Sequence, residues 1–276
     1  MKTLGILLFS LLVACNETIT EPGKNTEPDK SADVALFSET GTWDKSVTAL
    51  KNMFEWMNMS VAMINADYVN KRSLDSFAIV CFPGGDMFRY SRNISSEGMN
   101  KIKSYIKNGG NYIGICGGSY FSAEKIIWQG SHLPMKTLAL FEGTAEGNND
   151  TIAPYPQRKM CKVVLTDSLH PITQGMSKDQ WILYYWGPVF KTKNKEIQVL
   201  GIYDAVNSPA ILAFEYGKGK VFITGTHPEM EEDSDRDGVI FPDTIINNVH
   251  YYGEDLLEDK GSDWILMRNA VNWILK

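Results

Sequence analysis

Three residues of this sequence have the types and spacing of a nucleophile, a base and an orienting carboxylate. Cys116 lies in the glycine-rich run 114–118, and His227 and Glu229 follow much later, separated by one proline. In extended backbone, side chains two residues apart point the same way, so His227 and Glu229 are expected on one face. A carboxylate beside an imidazole orients it, and such a histidine can take the proton of a thiol. The pattern predicts a Cys–His–Glu triad.

Cys116 also stands where a strand should pass into a helix. The apolar residues 112–115 are few enough for a buried strand, and glycines flank them. A tight strand–turn–helix of this kind is a nucleophile elbow, and the helix that follows directs N–H groups at the sulfur, which favours thiolate. Taken alone, the run also fits a buried cysteine in a glycine-rich loop, and residues 227–229 also fit a turn after a strand.

The first half of the chain alternates predicted strands with amphipathic helices. One helix is expected to begin at Thr42 and another at Ser95 or Ser96, each with an apolar stripe. This alternation predicts an α/β fold with a mostly parallel sheet. The predicted strands of this half are 33–38, 59–64, 77–82 and 112–115.

The second half is richer in predicted strands. The last two flank 217–219, a glycine-rich segment that predicts a hairpin. Apolar residues at helical spacing from Trp264 to Ile274 predict a closing helix. No linker divides the halves, so one domain is expected over residues 33–276. The predicted strands of this half are 137–142, 161–166, 181–185, 197–203, 210–216 and 220–224.

The composition is that of an ordinary globular protein. The chain has 276 residues, of which 43% are hydrophobic, and a net charge of -6. That length suits one large domain or two small ones. The negative charge and the lack of a basic cluster argue against a nucleic-acid partner.

The N-terminal segment has the pattern of an exported lipoprotein. Lys2 precedes an apolar run, and residues 12–15 (LVAC) resemble the lipobox of bacterial lipoproteins, in which Cys15 is acylated after cleavage. We therefore expect a signal peptide over 1–15 and a disordered tether over 16–32. The anchor would hold the protein at a membrane in the cell envelope, outside the cytoplasm. The alternative is an ordinary signal peptide or membrane anchor that contains a cysteine.

Without Cys15, the remaining cysteines are odd in number: Cys81, Cys116 and Cys161. Cys81 and Cys161 lie in or beside predicted strands. They either form a disulfide in an oxidising compartment or are both buried and inert. In both cases Cys116 is left as the free thiol.

An acidic segment follows the predicted triad. Asp233, Asp235 and Asp237 alternate and precede a glycine, as at the start of a calcium loop. The twelfth position is Thr244 rather than the expected glutamate, so a solvated acidic loop is the favoured interpretation. No cofactor is indicated elsewhere in the sequence.

These motifs together resemble a known superfamily. Runs 114–118 and 227–229, with PGG at 83–85, resemble the class I glutamine amidotransferase-like superfamily. The runs 169–172 (LHPI) and 185–190 (YWGPVF) are most similar to the domain at the N-terminus of eukaryotic biotin–protein ligases, which also occurs alone in bacteria.

The resemblance implies a flavodoxin-like, three-layer α/β/α sandwich with a nucleophile elbow. In this family Cys116 would attack an amide carbonyl to form a thioester, with His227 as base and then acid, oriented by Glu229. The N–H groups of 84–85 and of Gly117 would form the oxyanion hole. This predicts an amidase or amidotransferase-like hydrolase that acts on a small-molecule or peptide amide.

Two neighbouring features bear on the ligand. The superfamily's glutaminases have a G-x-C-x-G-x-Q pattern, and Tyr120 occupies the glutamine position here, so binding of free glutamine is not predicted. Tyr185 and Trp186 are candidate pocket residues, because ligand sites are rich in aromatic side chains. The alternatives to an enzyme are a non-catalytic binding module with the same fold and a calcium-organised surface lipoprotein.

Overall fold

The computed structural model describes residues 32–231, 235–246, 248–251, 253 and 262–276. The predicted signal peptide with Cys15, and the tether up to residue 31, lie outside the described residues. Within the described ranges, no helix is both long and apolar enough to cross a membrane.

A nine-stranded mixed sheet forms the centre of the described chain. Its first five strands are mutually parallel, and the other four each run antiparallel to their neighbours. The predicted parallel sheet is thus found in the half that carries Cys116, whereas the other half is antiparallel. In spatial order the strands are β2 (Val61–Ile64), β1 (Val34–Phe37), β3 (Ile79–Phe82), β4 (Asn111–Ile115), β13 (Gly219–Thr224), β12 (Ser208–Tyr216), β11 (Gln198–Tyr203), β8 (Lys159–Leu165) and β9 (Asp179–Tyr184).

Helices cover the sheet and bury two apolar cores. Alternate residues of β1 enter different cores, Val34 and Leu36 one, Ala35 and Phe37 the other. This alternation follows from the two-residue period of a strand and shows that both faces of the sheet are covered. The helices are α1 (Asp44–Trp56), α2 (Ala66–Lys71), α3 (Met87–Asn93), α4 (Ser96–Lys107), α5 (Gly117–Ser122) and α6 (Trp264–Ile274).

Two smaller sheets were not predicted. The strand predicted at 137–142 is wrong, because the chain becomes a strand only at Phe141. Leu138 and Leu140 are buried but lie outside any strand. Their N–H groups donate to the carbonyls of Phe121 and Ser122, at 2.9 and 2.8 Å. The additional strands are β5 (Ala123–Trp128), β6 (Ser131–His132), β7 (Phe141–Gly147) and β10 (Val189–Lys191) in one sheet, and β14 (Thr244–Ile246) with β15 (Val249–Tyr251) in the other.

The predicted helix starts are confirmed in one case and wrong in the other. The Ser95 hydroxyl accepts a hydrogen bond from the N–H of Gly98 at 3.0 Å and caps α4. Thr42 does not cap α1, because its hydroxyl donates to the carbonyl of Glu39 at 2.8 Å instead. The closing helix and the β12–β13 hairpin are present as predicted.

Cys81, Cys116 and Cys161 are all free and buried. The disulfide alternative for Cys81 and Cys161 is therefore wrong. Both thiols lie inside strands, β3 and β8, where apolar neighbours cover them. Burial raises the pKa of both thiols above their usual range, which favours their inert, protonated form.

Candidate active site

The candidate site lies beyond the carboxyl ends of three adjacent parallel strands. Cys116 follows β4, while Gly84 follows β3 and His227 follows β13 on its two sides. Parallel strands bring the segments that follow them to one edge of a sheet, which is where α/β proteins place their ligand sites. The parallel half of the sheet therefore brings together residues that are distant in the sequence.

Cys116 has an unusual backbone conformation between β4 and α5. Its φ is +47°, a region that residues other than glycine seldom occupy. Its N–H donates to the carbonyl of Thr224 at 2.9 Å, and its carbonyl accepts from the N–H of Tyr120 at 3.0 Å. The Sγ atom is 3.5 Å from the carbonyl oxygen of Tyr185, to which the thiol donates. Strained conformations of this kind recur at functional sites.

His227 and Glu229 are paired, although not in the way that extended backbone predicts. Residues 227–229 form a turn, closed by a 3.1 Å bond from the N–H of Met230 to the carbonyl of His227. Within the turn, Nδ1 of His227 is 2.8 Å from Oε1 of Glu229, and both side chains are buried. The N–H of His227 is anchored to the carbonyl of Leu183 in β9 at 2.8 Å.

The charges around His227 favour its protonated form. Burial by itself lowers the pKa of the imidazole, but the charges of Glu229 and Cys116 outweigh it and raise that pKa to about 10. Nε2 makes no hydrogen bond to any residue that the structure describes.

Ser46 of α1 connects the histidine pair to the loop after β3. Its hydroxyl donates to Oε1 of Glu229 at 2.6 Å and accepts from the N–H of Gly84 at 3.0 Å. Ser46 is buried on the inner face of α1. Sequence analysis missed this residue, because a single serine in an amphipathic helix carries no local signal for such a role.

Glycines allow three backbone segments to approach at the site. A Cβ on Gly84 would lie 2.6 Å from Cε1 of His227, and one on Gly117 would lie 2.3 Å from the carbonyl oxygen of Gly85. Both positions therefore require glycine. Three backbone N–H groups were predicted to form the oxyanion hole, and that of Gly84 is bonded to Ser46. The other two, those of Gly85 and Gly117, have no partner among the described residues.

A cavity of about 440 Å³ opens beside Cys116 and His227. Tyr185 and Trp186 line it, as the sequence predicts, and their rings lie 4.4 Å apart. Tyr120 also lines it, but its hydroxyl donates to the carbonyl of Trp186 at 3.0 Å. Tyr120 therefore forms part of the wall and braces Trp186, which has a φ of +63°.

The acidic segment is placed apart from this chemistry. Asp233 lies outside the described residues, and Asp235 and Asp237 belong to a 3-10 turn. The carboxylate of Asp237 accepts from the N–H groups of Glu231 and Val239 at 3.0 and 2.9 Å, so it closes a loop. In the part of the chain that the structure describes, no three His, Cys, Asp or Glu side chains are grouped to hold a metal ion.

Solved structures with the same fold include glutamine amidotransferases. One glutamine amidotransferase is 16% identical at a TM-score of 0.55, with 75% of this chain and 100% of the other covered. Another, from Thermotoga maritima, is 13% identical at a TM-score of 0.52, with 74% and 79% covered. These likenesses establish a mixed α/β fold of the glutamine amidotransferase type.

The chain belongs to the family described as biotin-protein ligase, N terminal, whose model matches residues 32–251. A biotin–protein ligase of Schizosaccharomyces pombe is 28% identical over 170 residues, which are 57% of this chain and 26% of the ligase. The similarity thus spans about a quarter of that ligase. An uncharacterized protein of Chlamydia muridarum is 28% identical over 206 residues, which are 67% of this chain and 78% of that protein.

Proposed function

We propose that this protein is a cysteine-dependent, amidotransferase-like hydrolase of amide bonds. In this proposal the fold is the three-layer α/β/α sandwich of that superfamily, and Cys116 sits on its nucleophile elbow. The observation that carries the proposal is the pairing of His227 with Glu229 beside Cys116, at the carboxyl ends of adjacent parallel strands. A buried carboxylate–imidazole pair next to a strained cysteine is the arrangement that nucleophilic catalysis needs.

The reaction would proceed in two steps. In the first, the Cys116 thiolate forms a bond to the amide carbonyl carbon, the C–N bond breaks, and the His227 imidazolium gives its proton to the leaving nitrogen. The free N–H groups of Gly85 and Gly117 would stabilise the oxyanion. In the second, neutral His227 takes a proton from water, the hydroxide attacks the thioester carbonyl, and the C–S bond breaks. The carboxylic acid leaves, and the Cys116 thiolate and the His227 imidazolium are restored.

Glu229 and Ser46 would have supporting roles in this reaction. Glu229 orients the imidazole through Nδ1 and stabilises its protonated form. Ser46 orients the carboxylate and holds the loop that carries Gly84 and Gly85. Neither residue would exchange atoms with the substrate.

The pH dependence of Cys116 alkylation by 2-chloroacetamide, followed by mass spectrometry, tests this proposal. An imidazolium partner should keep Cys116 reactive at pH 6, and His227→Ala should remove that reactivity. His250→Ala is the matched control, because His250 bonds Asp243 rather than a triad residue. A Cys116 that reacts only as an ordinary thiol does, at a pH near 8.5, in both wild type and His227→Ala would contradict the proposal.

That contrary result would favour a second candidate, a non-catalytic binding module on the same fold. The observation that favours this candidate is the hydrogen bond that the Cys116 thiol donates to the carbonyl of Tyr185, at 3.5 Å. In such a module the cavity would hold a ligand without breaking a bond.

We also propose that the protein is a lipoprotein of the cell envelope, on the strength of residues 12–15 alone. Metabolic labelling with an alkyne fatty acid should modify the wild-type chain and leave Cys15→Ser unmodified. Equal labelling of both proteins, or of neither, would contradict this location.

A further inference from the structure

The cavity beside Cys116 has walls that are aromatic and almost free of charge. Its lining side chains include six large apolar or aromatic groups around the thiol, namely Trp43, Met87, Phe88, Trp128, Tyr185 and Trp186. Trp43 packs at 5.1 Å from Tyr185, so the rings form a continuous surface next to the sulfur. Flat apolar groups bind well on such surfaces through burial and ring stacking.

Apart from His227 at the reacting end, Asp86 is the charged side chain among the described residues that line the cavity, and it is already paired. Asp86 accepts the N–H of Phe88 at 2.9 Å and lies 3.5 Å from Nε of Arg89. No lysine or arginine is among the described lining residues. A ligand carboxylate placed along the aromatic wall, away from His227, would therefore lose hydration without gaining a cationic partner.

The hydrogen-bonding groups of the cavity are concentrated at its reacting end. The Tyr120 hydroxyl is committed to the carbonyl of Trp186. The groups available at the reacting end are Sγ of Cys116, the imidazole of His227 and the N–H groups of Gly85 and Gly117. Along the aromatic wall, the buried Nε1 of Trp186 has no partner among the described residues and can donate one hydrogen bond. The site can thus polarise one carbonyl group, and the wall offers the ligand mainly aromatic surface.

Given the proposed function, we infer that the substrate is an amide whose acyl group is flat, apolar and uncharged. Free glutamine, whose acyl side carries a charged amino-acid end, is excluded as a substrate. The reacting carbonyl would lie over Cys116, between Gly85 and Gly117. The acyl group would extend along the surface that Trp43, Tyr185 and Trp186 form together. A volume of about 440 Å³ accommodates such a group, since small-molecule sites begin at about 300 Å³.

Two chloromethyl ketones with different tails test this inference on the full-length chain. One carries a phenylethyl tail and the other the amino-acid end of glutamine; in each, the Cys116 sulfur displaces chloride to form a thioether. With each rate divided by that of 2-chloroacetamide, we expect the phenylethyl reagent to label Cys116 at least about tenfold faster than the glutamine-like reagent. Equal rates, or a faster glutamine-like reagent, would overturn the inference about substrate and leave the activated cysteine intact.

A binding measurement separates this inference from the proposed reaction. In Cys116→Ser, isothermal titration should detect 3-phenylpropanamide and show no binding of glutamine at the same concentration. Binding of the phenyl amide with an unreactive Cys116 in wild type would retain the pocket assignment and contradict only the hydrolase. No binding of the phenyl amide, or binding of glutamine, would overturn the inference.

Trp128 provides a variant that leaves the triad untouched. It lines the cavity and packs 5.8 Å from Tyr120, away from His227. Trp128→Leu should lower the labelling preference for the phenylethyl reagent about threefold or more, because it removes a stacking surface. Trp181→Leu is the matched control, since Trp181 lies on β9 outside the cavity lining, and should keep the wild-type preference. An unchanged preference in Trp128→Leu would contradict the role of the aromatic wall.

Discussion

Cys81 and Cys116 are buried thiols, one within β3 and the other just beyond the neighbouring strand β4, and their surroundings differ. Cys81 lies in the middle of β3, paired with Ile113 of β4, and is wholly buried among apolar side chains. Cys116 lies one residue beyond the end of β4, faces a cavity and has a charged imidazole nearby. Burial among apolar side chains keeps the thiol of Cys81 protonated and inert, whereas under the proposed function the buried cation beside Cys116 activates its thiol.

The largest expected effect is the contrast in labelling between these thiols. Treated with 2-chloroacetamide at pH 7, Cys116 should react about 10³-fold faster or more than Cys81 or Cys161, because the two strand cysteines must await unfolding. Peptide mass spectrometry measures the three rates in one sample. In denaturant the rates should converge, and comparable native rates for Cys81 and Cys116 would break the comparison.

The second prediction concerns two buried glutamates that are close in sequence. Glu229→Gln should slow labelling of Cys116 at pH 6 about tenfold to a hundredfold, because the charge that raises the pKa of His227 is lost. Glu231 instead accepts from the hydroxyl of Ser262 and the N–H of Trp264, at 2.7 and 3.0 Å, and pairs with Arg236.

Glu231→Gln is therefore the matched control. It should lower stability by about 1–3 kcal/mol, measured by urea denaturation, and leave the labelling rate unchanged. Equal slowing by the two variants would show that Glu229 acts only through stability.

A third prediction sharpens the part played by Ser46. Ser46→Ala leaves the N–H of Gly84 without its acceptor and removes one of the two donors to Oε1 of Glu229, so labelling at pH 6 should fall about threefold to tenfold. Ser122→Ala is a suitable control, because Ser122 is equally buried and its hydroxyl donates to the carbonyl of Ser119, at 2.7 Å, rather than to a triad residue. Both variants should lose about 1 kcal/mol of stability, but only Ser46→Ala should lose reactivity. A wild-type rate in Ser46→Ala would rule out its positioning role.

The smallest expected effect is on the pH dependence of stability, measured in the wild-type chain because Cys116 contributes to the raised pKa of His227. Burial lowers that pKa, but the charges of Glu229 and Cys116 outweigh burial and raise it to about 10, so the folded protein holds a proton that the unfolded chain releases. This stabilisation is complete below pH 6.5 and is lost as pH rises toward about 10, at about 1.4 kcal/mol per pKa unit. Urea denaturation from pH 6 to 8, where thiols of the unfolded chain are still mostly protonated, should show the decline, and His227→Gln should reduce it. Parallel declines in both proteins would contradict the assignment.

Much of the site was predictable from local patterns. The apolar run before Cys116 and the glycines around it indicate a strand end, and a strand followed by His-Pro-Glu indicates that two side chains meet. These signals are local, because strand period and glycine freedom depend on near neighbours in the chain. The parallel half of the sheet followed for the same reason, from alternating strands and helices.

What local patterns did not predict depends on contacts between distant segments. Leu138 and Leu140 look like strand residues, but their N–H groups donate to carbonyls at the end of α5. The Thr42 hydroxyl donates to the carbonyl of Glu39, three residues earlier, instead of capping α1. The antiparallel half of the large sheet likewise depends on which strands lie next to each other. The β-propensity of a segment does not determine its partner strand.

The sequence by itself determined which residue types stand at the ends of the parallel strands, and so it located Cys116 and the His227–Glu229 pair. Only the tertiary structure decided that Ser46 takes the N–H of Gly84, which leaves Gly85 and Gly117 as free donors, and that Tyr120 braces the cavity wall. The physical reason is that a hydrogen-bond partner is chosen by proximity in space. Ser46 and Glu229 are 183 residues apart in the chain, and only the folded sheet brings them to 2.6 Å.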